Sequence, residues 1–443
     1  MRMPVRLSFL LRVLVPVALA LLAIPALSSA GTLAVDCGSG GSINAAINAL
    51  FAGGPGPHTI TVTGNCTELV EIINRDGLTI EAASLGSATI SSPTGISDVA
   101  VVYLENSHSI KLSRLVIEGS NQPVEGVYAE AGSQVTITEC TIQHNLYDGV
   151  AVGGNSSAGI TKTTIANNEV GVFSDQSTVS LLGMVTIQNN NQDAMVVSGG
   201  RGDIRSPVAG GSANVIRNNG YGVGFVLGAI GSISRQNTIA NNGPYGLLVG
   251  RRCDVSLGSS AAGGTTIEGH SAFGVIAVNS IVAFSAPAGT PKHQVRNNGN
   301  AAAGLLHAGI FGTRNTSVRL FGAAVTNNAG PGVLMDPSGT LTVADSEISG
   351  NTGDGILLQH LSVAEFGNFD VTGATTPANT IISGNGGAAV TCDATSVVYG
   401  DLGAISPIKC VNSTSTTKDK KTGAAAAAAD LETRLLERRR GSR

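Results

Sequence analysis

The stretch TIQHNLYDGVAV at residues 141–152 decides the fold, because its pattern returns along most of the chain. Ile142 is followed two variable residues later by Asn145, and Gly149 with several apolar residues comes shortly afterwards. Recurrence of one motif at intervals of roughly 20–50 residues is typical of solenoid proteins. Each copy has room for short β segments and none for a helix, so the pattern predicts parallel strands stacked in rungs.

The motif recurs in ten copies whose key positions are 22 to 34 residues apart, and this position is Asn in nine copies and His in one. Asn tolerates the left-handed backbone of a sharp turn, and its amide can bond to the Asn of the rungs above and below. We therefore expect one turn row with a structural role rather than a catalytic one. The predicted row is Asn145, Asn168, Asn190, Asn219, Asn242, His270, Asn298, Asn328, Asn351 and Asn385.

These repeats, with an apolar-x-apolar motif alternating between them, resemble the right-handed parallel β-helix proteins of the pectin-lyase-like superfamily. The resemblance covers roughly Val35 to Cys410 and implies an all-β solenoid of about a dozen rungs. The segment Ser42–Leu50 has one apolar helical face, which predicts a capping helix over the N-terminal end. A leucine-rich repeat is the alternative, and it fits less well because Leu is sparse and the repeat lengths vary.

The first thirty residues have the pattern of an export signal. Three Arg residues precede the apolar run Val13–Leu27, and Ser28–Ala30 offers the small residues of a cleavage site. We expect cleavage after Ala30 and a protein that is secreted, periplasmic or at the cell surface, with no transmembrane segment in the mature chain.

Charge divides the rest of the chain in two. Residues 31–412 carry 15 basic and 26 acidic residues, whereas residues 413–443 carry 8 basic and 4 acidic ones. An acidic body repels polyanions, which argues against nucleic acid as a partner. The tail joins a polar linker, 413–423, to an Ala-rich basic segment, 424–440, that has high helix propensity. A solvated helix, a partner-binding segment and a basic anchor on an anionic surface all fit it.

The six cysteines fit an oxidising compartment. Cys37 with Cys66 and Cys392 with Cys410 would each close a short loop at one end of the repeat region, so we predict these two disulfides. The remaining two, Cys140 and Cys253, occupy different points of the repeat, and we expect them to be separate buried thiols.

The enzymes of the superfamily are mostly polysaccharide lyases, hydrolases and epimerases, but their signatures are missing here. The sequence contains no Asp-Pro-His-Asp as in alginate epimerases and no polygalacturonase set of Asn-Thr-Asp, Asp-Asp, Gly-His-Gly and Arg-Ile-Lys. There is also no clear Asp cluster with an adjacent Arg, as in calcium-dependent pectate lyases. No family residue is carried over.

A first candidate site follows from aligning Ile204 with Val255 as inward residues. This alignment places charged residues outward within two rungs, with Asp203 and Asp254 roughly 10 Å apart, a separation that suits an inverting carboxylate pair. Solvated surface ion pairs are the alternative interpretation. The residues of this candidate are Arg201, Asp203, Arg205, Arg252 and Asp254.

A second candidate is the succession Tyr221, Tyr245 and Phe273, one aromatic residue shortly after the Asn on consecutive rungs. Stacked rings could form a sugar platform, or they could simply pack on one another beside the turn. The remaining His and Asp residues do not converge at ligand spacing, so we predict no metal site and no cofactor.

Two function classes remain. One is a non-catalytic envelope or extracellular protein that binds a polysaccharide or another part of the cell-envelope surface. The other is a polysaccharide lyase, glycoside hydrolase or epimerase of an unrecognised type that acts from an external groove. The missing motifs, the absence of Trp and the low charge content of 13% favour the first class. The oligomeric state is left open.

Overall fold

The computed structural model describes residues 30–97, 99–206, 212–299, 306–369, 375–376, 379–400, 402 and 405–410. The predicted export signal, apart from Ala30, and the predicted tail lie outside these residues. The described chain is a right-handed parallel β-solenoid of about 13 turns, which confirms the predicted fold class. Each full rung contributes one strand to each of three sheets, and the strands are numbered β1 to β43 in chain order.

Sheet 1 begins at the N-terminal end and forms one long wall. Its strands are β1 (Gly31–Asp36), β2 (His58–Thr67), β4 (Leu78–Ala82), β7 (Ile110–Ser113), β10 (Gln134–Thr138), β13 (Ser157–Thr161), β16 (Thr178–Leu181), β19 (Arg201–Arg205), β22 (Ile230–Ser234), β25 (Asp254–Gly258), β28 (Ile281–Ser285), β31 (Ser317–Phe321), β34 (Thr340–Ala344), β37 (Val363–Phe366) and β42 (Val397–Gly400).

Sheet 2 starts from the second half of β2 and contains the Thr-Ile pairs of the motif. Its further strands are β5 (Ala88–Ser91), β8 (Val116–Glu118), β11 (Thr141–Gln143), β14 (Thr164–Ala166), β17 (Thr186–Gln188), β20 (Asn214–Arg217), β23 (Asn237–Ala240), β26 (Thr266–Glu268), β29 (His293–Arg296), β32 (Ala323–Thr326), β35 (Glu347–Ser349) and β40 (Ile381–Ser383).

Sheet 3 follows the Asn turn in each rung. Its strands are β3 (Val70–Ile73), β6 (Ala100–Glu105), β9 (Glu125–Glu130), β12 (Asp148–Val152), β15 (Val170–Asp175), β18 (Asp193–Ser198), β21 (Tyr221–Val226), β24 (Tyr245–Gly250), β27 (Phe273–Val278), β30 (Ala308–Thr313), β33 (Val333–Met335), β36 (Ile356–Leu358), β41 (Val390–Cys392) and β43 (Ile408–Cys410). A short antiparallel pair, β38 (Asn368–Phe369) with β39 (Thr375–Thr376), stands apart from the three walls.

The apolar residue of the motif forms a column inside the solenoid. Ile142 pairs with Ile117 on one side and with Ile165 on the other, and the same position stays Ile or Val up to Ile382. These side chains belong to one continuous core cluster, and nearly all are completely buried. Burial of each such side chain contributes about 1.5–3 kcal/mol relative to exposure, and only stacking of rungs provides that burial.

The capping helix is present as α1 (Ile43–Ala52), and the side chain of its N-cap residue, Ser42, accepts a hydrogen bond from the main-chain N–H of Ala45. Ile43, Ala46, Ile47 and Leu50 are buried, and the helix packs on β1, β2 and β3. The prediction of a helix over the open N-terminal end is thereby confirmed. Among the described residues, no helix has the length and apolarity needed to cross a membrane.

The predicted Asn row forms a hydrogen-bonded ladder in the turn between sheets 2 and 3. Asn219 accepts bonds from the main-chain N–H of Asn190 at 3.0 Å and from its Nδ2 at 2.8 Å. The Nδ2 of Asn219 in turn donates to Asn242 Oδ1 at 2.9 Å and to the carbonyl oxygen of Ile187 at 3.1 Å. The ladder residues are buried up to Asn351, so their amides satisfy groups that water cannot reach, although Oδ1 of the first, Asn145, accepts no hydrogen bond.

The left-handed conformation, however, belongs to the residue before the ladder Asn. Asn218 has φ of 56° and Asn241 has φ of 53°, whereas Asn219 and Asn242 are not among the positive-φ residues. The prediction that one Asn serves both purposes is wrong, because the two tasks require different backbone angles. Asn-Asn pairs divide them: the first Asn makes the turn and the second builds the ladder.

The Gly of the motif is explained by the next rung. A Cβ at Gly149 would lie 2.8 Å from the Nδ2 of Asn168 and 2.7 Å from the carbonyl oxygen of Gly171. Only the absence of a side chain lets sheet 3 begin this close to the ladder.

We predict that the same substitution destabilises the protein at the second residue of an Asn-Asn pair but not at the first. Asn218→Gly keeps a left-handed turn in an exposed position and should leave the thermal midpoint nearly unchanged. Asn219→Gly leaves the buried amide groups of Asn190 without an acceptor, at about 1–3 kcal/mol for each unsatisfied group. Thermal unfolding followed by circular dichroism measures both, and equal losses would contradict the division of tasks.

His270 takes the place of Asn in the ladder as a neutral imidazole. Its Nδ1 accepts from the main-chain N–H of Asn242 at 3.2 Å, and its Nε2 donates to the carbonyl oxygen of Ile239 at 3.1 Å. Burial lowers the pKa of His270 from 6.5 to about 4. Protonation at Nδ1 would remove the acceptor that continues the ladder.

We predict that His270→Asn reduces the acid sensitivity of the protein. The unfolded state binds a proton near pH 6.5 and the folded state only near pH 4, so His270 makes stability fall as pH drops between these values. The slope approaches about 1.4 kcal/mol per pH unit. Denaturation midpoints at pH 7.5, 5.5 and 4.5 test this, and a constant difference between variant and wild type would contradict it.

The cysteines close one end of the solenoid. Cys37 and Cys66 form a disulfide, as predicted. Cys392 is disulfide-bonded, and its register partner in the backbone pairing of β41 with β43 is Cys410, so their pairing stays a prediction. Cys140 and Cys253 are free and buried, and burial raises the pKa of each thiol to about 11.

Candidate functional site

The predicted row of charged residues lies on the external face of sheet 1, but in another register. Ile204 pairs with Ile233, which pairs with Leu257, so the expected alignment of Ile204 with Val255 is wrong. The reason is that alternation has a period of two, and a slip of two residues keeps every apolar side chain inward. As a result Asp254 lies in line with Arg201, and Asp203 lies in line with Ser256.

This register separates the two carboxylates of the first candidate. Asp203 and Asp254 are two rungs and two residues apart, about 12 Å between Cα atoms at ordinary strand spacings, which is wider than an inverting pair. Asp203 is 8% exposed and is held by Arg201, with Nε–Oδ2 at 3.1 Å and Nη2–Oδ1 at 3.3 Å. Arg205 is exposed at the strand end, and Arg252 lies in a turn with φ of 65°. The five residues do not converge on one point.

The three aromatic residues of the second candidate are divided between two stacks. Tyr221 stacks on Tyr245 with centroids 5.4 Å apart, whereas Phe273 stacks on Phe311 at 5.6 Å. Tyr245 is 1% exposed and Phe273 4%, and the hydroxyl of Tyr245 donates to Asp193 Oδ1 at 2.7 Å. Burial raises the pKa of Tyr245 well above its usual value. The rings of Tyr245 and Phe273 therefore offer no open face to a sugar, whereas Tyr221 is half-buried.

A site that was not predicted from the sequence lies on the external face of sheet 3. It occupies rungs that come earlier in the chain than those of the two aromatic stacks. Tyr103 pairs with Tyr128 and Glu105 with Glu130, so two consecutive rungs present the same aromatic and acidic side chains. After one rung with Ala151 at the aromatic position, Phe173 and Asp175 resume the pattern. The acidic–aromatic row, as we name it, comprises Tyr103, Glu105, Tyr128, Glu130, Phe173 and Asp175, all of them half-buried.

A signal for this row is present in the sequence. Val102-Tyr-Leu-Glu105 and Val127-Tyr-Ala-Glu130 share the pattern Val-Tyr-x-Glu, and Val172-Phe-Ser-Asp175 varies it. Inward Val and outward aromatic and acidic residues are what a strand of period two requires at a polar surface.

The hydroxyl groups of the row converge on one carboxylate. Tyr128 donates to Glu130 Oε2 at 2.9 Å, and Tyr103 donates to Glu130 Oε1. The Tyr103 hydroxyl also lies 3.3 Å from Glu105 Oε2. The pKa of both tyrosines is raised well above the usual value. Desolvation is the largest cause, and the hydrogen bond to Glu130 is the next. The phenols therefore stay protonated at physiological pH and act as donors rather than as bases.

Beside Tyr128 the row contains a position without a side chain, at Gly153. Gly153 follows Ala151 at the position where the adjacent rungs carry Glu130 and Asp175, and a Cβ there would lie 3.4 Å from the Tyr128 hydroxyl. The φ of Gly153 is not positive, so backbone geometry does not demand glycine. Asp175 lies in the next rung after Gly153 and accepts a hydrogen bond from Ser198 Oγ at 3.0 Å.

A separate groove of about 710 Å³ lies several rungs further along the solenoid, where the sheet 3 strands turn into sheet 1. Arg251, Arg252 and Arg314 line it, together with Leu227 and Val278. This groove is cationic, whereas the row is anionic, so the two surfaces suit ligands of opposite charge.

Potential metal ligands come together once in the described part of the chain. The one group of three potential ligands there is Cys37, Cys66 and Glu68, and its two sulfur atoms are joined in the disulfide.

Comparison with known proteins supports the fold. Residues 100–262 match the family model described as the right handed beta helix region. The A-module of mannuronan C-5 epimerase AlgE4 from Azotobacter vinelandii is similar with a TM-score of 0.50 and 15% identity, over 84% of this chain and 94% of that chain. No curated protein matches the sequence significantly.

Two further solved structures are less similar. The A-module of AlgE6 from the same organism has a TM-score of 0.48 and 14% identity, over 81% of this chain and 94% of that chain. DFA-IIIase from Arthrobacter chlorophenolicus A6 has a TM-score of 0.42 and 12% identity, over 88% of this chain and 99% of that chain. The family match over residues 100–262 and the register of the three sheets thus agree, and the chain has the fold of the right-handed parallel β-helix proteins.

Proposed function

We propose that the protein binds a neutral polysaccharide along the acidic–aromatic row and does so outside the cytoplasm, without catalysing its breakdown. The observation that carries the proposal is the pair of tyrosines that donate to Glu130 on the external face of sheet 3, next to Gly153. Aromatic faces pack against the C–H faces of sugars, and carboxylates accept hydrogen bonds from sugar hydroxyls. Strands stacked about 4.8 Å apart offer these contacts repeatedly along an extended chain.

The charge of the surface favours a neutral ligand. The row contains Glu105, Glu130 and Asp175, and the region from 31 to 412 has 11 more acidic than basic residues. A polyuronate would be repelled by this field. The similar epimerase module is named for mannuronan, but its likeness concerns the fold, and the sequence here lacks Asp-Pro-His-Asp.

Export is part of the proposal. The predicted signal at residues 1–30 and the disulfide Cys37–Cys66 both fit an oxidising compartment in the envelope or outside the cell. Polysaccharides of the envelope or the surroundings are accessible there.

Hydrolysis by the same row is the second candidate function. The Tyr103 hydroxyl lies within hydrogen-bond reach of both Glu105 and Glu130, so the two carboxylates approach the same point. Retaining glycosidases hold their carboxyl groups about 5–5.5 Å apart. Release of new reducing ends from a bound glycan would favour this function over simple binding.

We predict that a branched side chain at position 153 weakens binding. Gly153→Val places a branched side chain against the Tyr128 hydroxyl and should weaken binding at least tenfold, while the thermal midpoint stays within about two degrees. Gly159→Val is the matched control, since Gly159 also faces outward without a positive φ, but on sheet 1, where Leu182 is the nearest neighbour at 3.7 Å. Affinity should be unchanged in this control and in Asp203→Asn.

The measurement is affinity electrophoresis and calorimetry against a panel of neutral and anionic polysaccharides, with reducing ends assayed in the same samples. Binding of a neutral polysaccharide that Gly153→Val loses and Gly159→Val keeps supports the proposal. Exclusive binding of anionic polysaccharides, or equal binding by both valine variants, contradicts it.

A further inference from the structure

An apolar column lies on the external face of sheet 3, beyond the acidic–aromatic row. Successive strands of sheet 3 contribute its members in register, and Gly224 lies between the first member, Val196, and the second, Leu248. They form a cluster distinct from the interior core, although they point away from it. The external column comprises Val196, Leu248, Ile276, Phe311 and Leu334.

These outward-facing side chains are shielded from solvent. Ile276 is 5% exposed and Val196 only 1%, whereas Ile230 on the outer face of sheet 1 is 56% exposed. Neighbouring side chains of the column shield the sides of each member from solvent, but they do not shield the end that points outward. Among the described elements, α1 packs only at the N-terminal end, on β1, β2 and β3, and the strands of the solenoid form its walls. The column therefore needs a cover from elsewhere.

We infer that residues 424–440 bind along the external column as a helix that runs back from high-numbered to low-numbered rungs. The described chain ends close to the external column. Its last strand, β43, belongs to sheet 3, and Lys409 in this strand lies in line with Thr391 and Leu357. The column thus begins where the described chain ends, and the polar linker connects the two. This inference does not depend on the proposed glycan binding.

The length of a helix formed by residues 424–440 matches the length of the external column. Seventeen residues of α-helix span about 25 Å at 1.5 Å per residue. Val196 and Leu334 are five rung steps apart, about 24 Å at ordinary strand spacing. Leu431 and Leu435 lie one helical turn apart and fall on one face, where they meet the middle of the column.

Charge sets the direction. The basic end of the segment, Arg438–Arg440, comes to the low-numbered rungs, next to the rung that carries the carboxylate of Asp175. The opposite direction would bring these arginines next to Lys409. Attraction of the basic tail to an acidic body acts over about 8–10 Å at physiological salt and favours the first arrangement.

The test is tryptic cleavage of the full chain after Arg438, followed by mass spectrometry. In the wild type the bound tail should be cut slowly, and Ile276→Asp, which puts a charge into the column, should accelerate cleavage at least tenfold. Ala283→Asp is the matched control, since it adds the same charge to the outer face of sheet 1 in β28, the strand that follows Ile276. The tail of this variant should be cleaved at the wild-type rate. Leu431→Asp removes the contact from the tail side without altering the solenoid and should also accelerate cleavage.

Two other occupants are distinguished in the same assay. A chain that starts at Gly31 should keep the protection, and loss of protection there would assign the column to the leader and overturn the inference. Protection that disappears on dilution, together with a dimer mass in light scattering, would assign it to a second copy and also overturn it. Equal cleavage rates in wild type, Ile276→Asp and Leu431→Asp would show that the tail is not bound there.

Discussion

The Asn ladder is the interaction on which the rest of the structure depends. Apolar side chains attract one rung to the next, but strands with a two-residue alternation can slip by two without exposing any of them. The ladder removes this freedom, because a slipped rung would leave buried amides such as those of Asn190 and Asn219 without partners. Each unsatisfied group costs about 1–3 kcal/mol, so a small polar row sets the register of a large apolar core.

A fixed register turns repeated sequence into surface columns. Residues that hold the same place in successive repeats lie directly above one another, as Tyr103 and Tyr128 do. One external face can therefore carry different chemistry on different rungs: sheet 3 is acidic and aromatic up to Asp175 and apolar from Val196 to Leu334. The face of sheet 1 carries mainly small polar residues such as Ser232 and Ser256, and its charges are dispersed.

The features that repeat could be predicted from the sequence. The motif around Asn145 indicated the parallel solenoid and the row of ladder positions, and the apolar face of Ser42–Leu50 indicated the cap. The register of Asp254 could not be predicted, because alternation does not distinguish a slip of two residues. The division of tasks within Asn218-Asn219 was hidden because both members are the same residue type. The tyrosines at 103 and 128 were overlooked because they precede the first copy of the Asn motif.

The hydrogen bond from Tyr245 to Asp193 spans 52 residues and joins β24 to β18, with β21 between them. Repeat proteins otherwise behave as linear arrays in which each unit is stabilised by its immediate neighbours, and they can open at any interface. A side-chain bond across two interfaces makes these three rungs open together. The middle of the solenoid is then a single cooperative unit, and partial unfolding under heat or mechanical tension begins toward the ends of the rod, away from this unit.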